Sequence, residues 1–117
     1  MNVEEYFERA WKYYSENNFD GAIAVLTDVI KHEPENASAH YKRGMVYSEK
    51  KEFDLAIADY TSAIRLEPEY GCFYFERALA YAFKKNKALV ISDLEMALKI
   101  DPQNKDYREA LEEALSW

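Results

Sequence analysis

Val29-Ile-Lys-His-Glu-Pro34, Ala63-Ile-Arg-Leu-Glu-Pro68 and Ala97-Leu-Lys-Ile-Asp-Pro102 are near-copies of one phrase, and the prolines that close them stand 34 residues apart. They are the three prolines of the chain. Proline lacks an amide hydrogen and disfavours helix in the residue before it, so each phrase reads as the end of a helix. A fixed period of this length is the mark of a repeat architecture, with one helix–turn–helix unit per period. The same step aligns Phe7-Glu-Arg-Ala10 with Tyr41-Lys-Arg-Gly44 and Phe75-Glu-Arg-Ala78, then Tyr13, Tyr47 and Tyr81, then Ala22, Ala56 and Val90. Small residues at Ala10, Gly44 and Ala78 let two helices approach closely, and the tyrosines three positions later fill the space beside them.

The pattern resembles the tetratricopeptide repeat, whose signature is an aromatic, a small residue, a tyrosine, a later alanine, an aromatic and a closing proline. Repeat 2 matches it best, through Gly44, Tyr47, Phe53, Ala56, Tyr60, Ala63 and Pro68. Repeat 1 departs at Val29. Repeat 3 has Lys87 in the aromatic slot and Val90 in an alanine slot, so its two helices are expected to pack less closely. The resemblance covers residues 3–102 and implies an all-α, right-handed superhelical α-solenoid. The chain reads as one domain over 1–117, with repeats at about 3–36, 37–70 and 71–104 and a capping helix at about 104–116. The first helices of the repeats are expected near 3–16, 37–50 and 71–84, and the second helices near 19–32, 53–66 and 87–100. Asn36 and Asn104 are positioned to cap the helices that follow them, whereas Tyr70 at the matching place is not. In the last helix Tyr107, Ala110, Leu111, Ala114 and Leu115 form one apolar stripe, as a helix closing a stack requires.

Composition sets the outer limits. Forty-nine per cent of residues are hydrophobic and only three are glycine, which leaves little for linkers or disordered tails. The first residues are charged and unlike a signal peptide, and no run approaches the roughly 20 apolar residues of a membrane span. One cysteine makes no internal disulfide, so the cytoplasm is the default expectation. A net charge of −7 argues against nucleic acid as a partner, because that binding rests on phosphate neutralisation. No phosphate loop, catalytic triad or metal-ligand spacing is present, so neither an enzyme nor a cofactor is expected. His32 and His40 read as solvated or capping residues. Cys72, in the first turn of a helix, reads as an ordinary thiol although the helix end favours a thiolate.

Function is expected on the first helices of the repeats, which by the family resemblance line the concave face. Beside the signature stripe runs a second one: Phe7, Trp11 and Tyr14 in repeat 1, Tyr41, Met45, Ser48 and Glu49 in repeat 2, Phe75, Leu79 and Phe83 in repeat 3. An apolar groove of this kind marks an interaction site for a protein or peptide partner. The alternative for Phe7 and Phe75 is packing between adjacent helices as core. One subset of the family binds C-terminal carboxylates through lysines, asparagines and an arginine. The matching positions here are Phe7, Trp11, Lys42, Cys72 and Glu76, with one cation and one repelling acid, so apolar or amphipathic peptide capture is the expected mode, in an adaptor or scaffold. The competing expectation is a homo-oligomer whose groove is filled by another copy of the chain. Arg9, Arg43 and Arg77 are read as partners in ion pairs within each repeat, with Asp59 and Asp93 as the acids and Val25 leaving Arg9 without one.

Overall fold

The computed structural model describes residues 1–117 and contains seven α-helices. They are α1 (Val3–Ser15), α2 (Phe19–His32), α3 (Ala37–Glu49), α4 (Phe53–Leu66), α5 (Gly71–Phe83), α6 (Lys87–Ile100) and α7 (Lys105–Leu115). The second helices fall on the expected residues, and the first helices end one residue early. None of the seven is long and apolar enough to cross a membrane.

Local chemistry accounts for the helix ends. Glu33, Glu67 and Asp101, each before a proline, adopt φ between −130° and −142° with ψ of 75° to 86°, which stops α2, α4 and α6. Asn36 accepts from the amide of Ala39 at 3.0 Å and Asn104 from that of Tyr107 at 3.0 Å, as expected. Asn2, Asn18 and Asn86 do the same for α1, α2 and α6, whereas Tyr70 and Glu52 offer no side-chain cap. Between the helices of each repeat, Asn17, Lys51 and Lys85 adopt φ of 58° to 63°. There the amides of Asn18, Glu52 and Asn86 donate to the carbonyls of Tyr13, Tyr47 and Tyr81 at 2.8, 2.9 and 3.1 Å. This left-handed turn satisfies carbonyls that the helix end leaves free.

Each helix packs mainly on the one before and the one after it, giving a stack of 44 × 25 × 21 Å. Its radius of gyration, 14.5 Å, exceeds the roughly 13 Å of a compact domain of this length, as a stack requires. Inside repeat 1, Ala10 meets Leu26; inside repeat 3, Ala78 meets Leu94. In repeat 2 the larger Tyr60 takes the leucine's place, and Gly44 makes room for it. A Cβ on Gly44 would lie 2.7 Å from Tyr60 Cε1 and 3.2 Å from Asp59 Cβ.

Repeat 3 is not loosened as expected. Val90 and Leu94 are buried against Ala78, and Lys87 lies at the surface, donating to the Trp117 carbonyl at 2.7 Å. Its departures fall where two more carbons are absorbed or where the side chain reaches solvent. Helix α7 lays Ala110, Leu111 and Ala114 on this cluster, with Tyr107 against Phe75 at 4.9 Å between ring centres. Lys105, Arg108, Glu109, Glu112 and Glu113 face away from it and are exposed.

Arg43 and Arg77 form the expected pairs, each bidentate, with Asp59 and Asp93 at 2.7–2.8 Å. Each arginine also reaches the preceding repeat, donating to Thr27 and Thr61 at 3.2 and 3.1 Å. Arg9, without an acid, lies over the Tyr6 ring at 4.9 Å. His40 departs from the expectation of a solvated residue. It is buried beneath α4, with Nε2 donating to the Pro34 carbonyl at 2.9 Å and Nδ1 3.8 Å from Asp59. Its side chain links a repeat's closing proline to the next helix. His32, by contrast, is exposed and bonds the Asp28 carbonyl.

Candidate functional site

The second stripe of the first helices divides between groove and core. Phe7, Trp11 and Tyr14 from α1 and Met45 from α3 line one cavity of about 460 Å³. Lys42, Ala10, Leu26 and Val46 complete it, and seven of the eight lining residues are apolar. The volume falls within the roughly 300–1,000 Å³ of small-ligand and side-chain pockets. Trp11 stands at its edge, 66% exposed, stacked on Tyr14 at 5.5 Å between ring centres. Tyr14 is steadied from behind by Phe19 at 5.7 Å. Lys42 extends over the Phe7 ring at 5.0 Å, so the one cation of this wall is already engaged with an aromatic face. Burial, and then the neighbouring Glu49 carboxylate, push the Tyr14 phenol up, which keeps it a neutral hydrogen-bond donor.

The remaining stripe residues lie elsewhere. Tyr41 is half-buried between Tyr60 and Phe73, at 5.9 and 4.8 Å, and burial raises its phenol strongly. Phe75 packs on Tyr107 of α7 and takes the core role left open for it. Phe7 is part groove wall and part core, since it also packs on the cluster around Ala10. Ser48 is half-buried, with its hydroxyl 3.1 Å from that of Tyr60. Leu79 is on the exposed side of α5, and Phe83 stacks flat on Phe53 at 4.4 Å. Neither lines the cavity, which therefore lies between the first two repeats rather than along all three. Leu26 and Val46, its floor, were not singled out from the sequence. Leu26 shares the 34-residue register of Tyr60 and Leu94, and that register is the signal that marks it as facing a first helix.

Glu76 on α5 is half-buried, and the ion pairs of the chain join other residues. Its charge opposes ionisation of the nearby Tyr41, Tyr60, Cys72 and Tyr107. Burial raises the Glu76 carboxyl above its ordinary value. The folded chain therefore holds that proton more tightly than the unfolded chain. Stability falls as pH rises from the ordinary carboxylate range through the raised value. Glu76→Gln is accordingly expected to melt above wild type at pH 7, with the difference vanishing below about pH 4. Thermal denaturation of both proteins at the two pH values checks this; a lower melting temperature for the variant at pH 7 would reveal a favourable partner for the charge. Burial pushes the Cys72 thiol above its ordinary value, against the hydrogen bond with Tyr41 that lowers it.

Sequence profiles of the tetratricopeptide repeat match residues 7–70 and 73–104. Curated protein sequences yield no match. Among solved structures, the first tetratricopeptide domain of Spaghetti (RPAP3) bound to the HSP90 peptide SRMEEVD superposes with a TM-score of 0.90 at 24% identity, covering 95% of this chain and 88% of that one. The TPR2B domain of yeast Sti1 in its pHsp70 complex gives 0.89 at 24%, covering 97% and 95%. The second domain of human RPAP3 with the HSP70 peptide SGPTIEEVD gives 0.88 at 25%, covering 94% and 92%. Two profile matches in register with the observed repeats, and an all-α solenoid shared over nearly the whole length, carry one conclusion: the chain belongs to the tetratricopeptide repeat family.

Proposed function

We propose that this chain is a protein-interaction module, an adaptor or scaffold without catalysis, that takes an apolar or amphipathic peptide segment in the groove between α1 and α3. The observation that carries this reading is Trp11, an indole two-thirds exposed at the edge of an apolar cavity and held in place by stacking on Tyr14. A pre-positioned aromatic loses little freedom when a partner covers it, which is how a few residues come to dominate an interface. Membership of a family whose solved relatives hold HSP90 and HSP70 peptides supports a peptide as the occupant. The acidic tails of those peptides fit poorly here. The positions that resemble the carboxylate-binding set hold Phe7, Trp11, Lys42, Cys72 and Glu76, whose one cation lies over Phe7. The unpaired Cys72 suits a reducing compartment, the cytoplasm in this reading.

The test is a titration against a partner recovered by pull-down with wild type but not with a Trp11→Ala, Tyr14→Ala double variant. A buried aromatic anchor contributes about 2 kcal/mol or more, so Trp11→Ala alone is expected to weaken binding by about thirtyfold or more. Raising the salt concentration should change the affinity little, and tryptophan fluorescence should respond to the ligand. A folded Trp11→Ala protein that binds as tightly as wild type would overturn the groove reading and direct attention to the convex face. Self-association through the groove would show instead as a mass that rises with concentration and falls on Trp11→Ala.

A further inference from the structure

Resting on the groove reading, we propose that the captured peptide carries a lysine or arginine that pairs with Glu76, a few residues from the apolar side chain that fills the cavity beside Trp11. Three observations on this face converge on a cationic ligand. Glu76 is half-buried on α5 with no cation beside it, whereas the buried acids Asp59 and Asp93 each hold an arginine in two hydrogen bonds. A carboxylate in such a place is under-solvated, so a partner's charge counts for more there than it would in open water. Glu49, at the lower end of the cavity beside Tyr14, adds a second negative charge, and Lys42 is drawn onto the Phe7 ring. An acidic peptide therefore meets repulsion on this face. A basic one meets a carboxylate that the fold has left open.

The spacing follows from the stack. Tyr41 on α3 precedes Lys42, which lines the cavity, and packs in one cluster with Cys72, one turn before Glu76 on α5. The cavity lies between the first two repeats and Glu76 on the third, so an extended segment that reaches both crosses α3. The expected ligand pattern is thus an aromatic or large aliphatic residue with a basic residue at one fixed offset from it. One shielded pair of this kind adds affinity without steep salt dependence, consistent with a mainly apolar interface.

Panning a displayed library of random twelve-residue peptides against the immobilised full chain tests the proposal. Selected peptides are expected to be enriched in one apolar anchor and in Lys or Arg at a constant offset from it. In a synthetic copy of a selected peptide, replacing the basic residue with alanine should weaken binding to wild type by about tenfold, as losing a charge-assisted hydrogen bond does. Against Glu76→Gln protein the same replacement should cost less than about twofold, because the partner charge is already gone. Glu76→Lys, shown to be folded by its helical circular dichroism, should select acidic residues in that position while keeping the apolar anchor. Enrichment of the anchor alone, or an equal loss on wild type and Glu76→Gln, would overturn the charge pairing and leave the groove reading standing. Peptides that bind Trp11→Ala as well as wild type, or a library that yields no binder, would overturn the groove reading and this inference with it. Selection of acidic peptides by wild type would overturn the inference alone.

Discussion

Gly44→Leu is expected to destabilise the chain by about 3 kcal/mol or more, the upper part of the range for overpacking a filled core. The reason is geometric. The first atom added to Gly44 already falls 2.7 Å from a ring carbon of Tyr60, and Tyr60 is wholly buried with its hydroxyl tied to Ser48. Neither the ring nor α4 has anywhere to retreat, because Asp59 beside it is clamped by Arg43. Leucine at exposed Glu112 should change stability by no more than about 0.5 kcal/mol, since it displaces nothing. Chemical denaturation of the two variants beside wild type measures both. Similar losses at the two sites would mean that the register of Gly44 against Tyr60 is wrong. A further check lies in compensation: Tyr60→Leu, which recreates the pairing of repeats 1 and 3, should recover part of what Gly44→Ala loses.

Removing residues 104–117 is expected to lower the melting temperature by about 12 °C or more and to reduce solubility. Tyr107 and Leu111 lie against Phe75, Val90 and Leu94 through α7, and covering a side chain of their size contributes about 1.5–3 kcal/mol each. At about 4 °C per kcal/mol for a domain of this size, their loss alone accounts for that shift. The surface left bare is a contiguous apolar face of α5 and α6, a ready site for association between copies. Calorimetry and light scattering on the shortened chain test the two consequences together. A monomer with an unchanged melting temperature would show that α7 contributes nothing to the stack.

The repeat could be read from the sequence because its punctuation is chemical. Proline stops a helix wherever it stands, and asparagine caps one through its own side chain, so the ends of α2, α4 and α6 needed no knowledge of neighbours. What eluded that reading depends on an element from another repeat. Tyr41 looks like a groove residue on its own helix, yet Phe73 of α5 arrives to cover it. His40 has the composition of a surface residue and becomes buried because Pro34 and Asp59 converge on it. The second bonds of Arg43 and Arg77, to Thr27 and Thr61, are legible only once adjacent repeats are superimposed in space. The groove itself was half legible: its aromatic wall stood out, whereas its floor of Leu26 and Val46 belongs to the packing between helices.

The ties between repeats carry a consequence for how the chain folds and yields. Arg43 to Thr27 and Arg77 to Thr61 join residues 16 apart, and Lys50 to Asp20 and Lys84 to Asp54 join residues 30 apart. Nothing ties the first helix to the last. Closing such short loops costs little chain entropy, so folding should be fast and able to begin at any pair of neighbouring helices. Cooperativity then passes from neighbour to neighbour, and the ends open before the middle. Helix α1 is one of those ends, and it carries Phe7, Trp11 and Tyr14. The wall of the proposed groove is therefore carried by a helix that frays, and occupancy of the groove would slow amide exchange there.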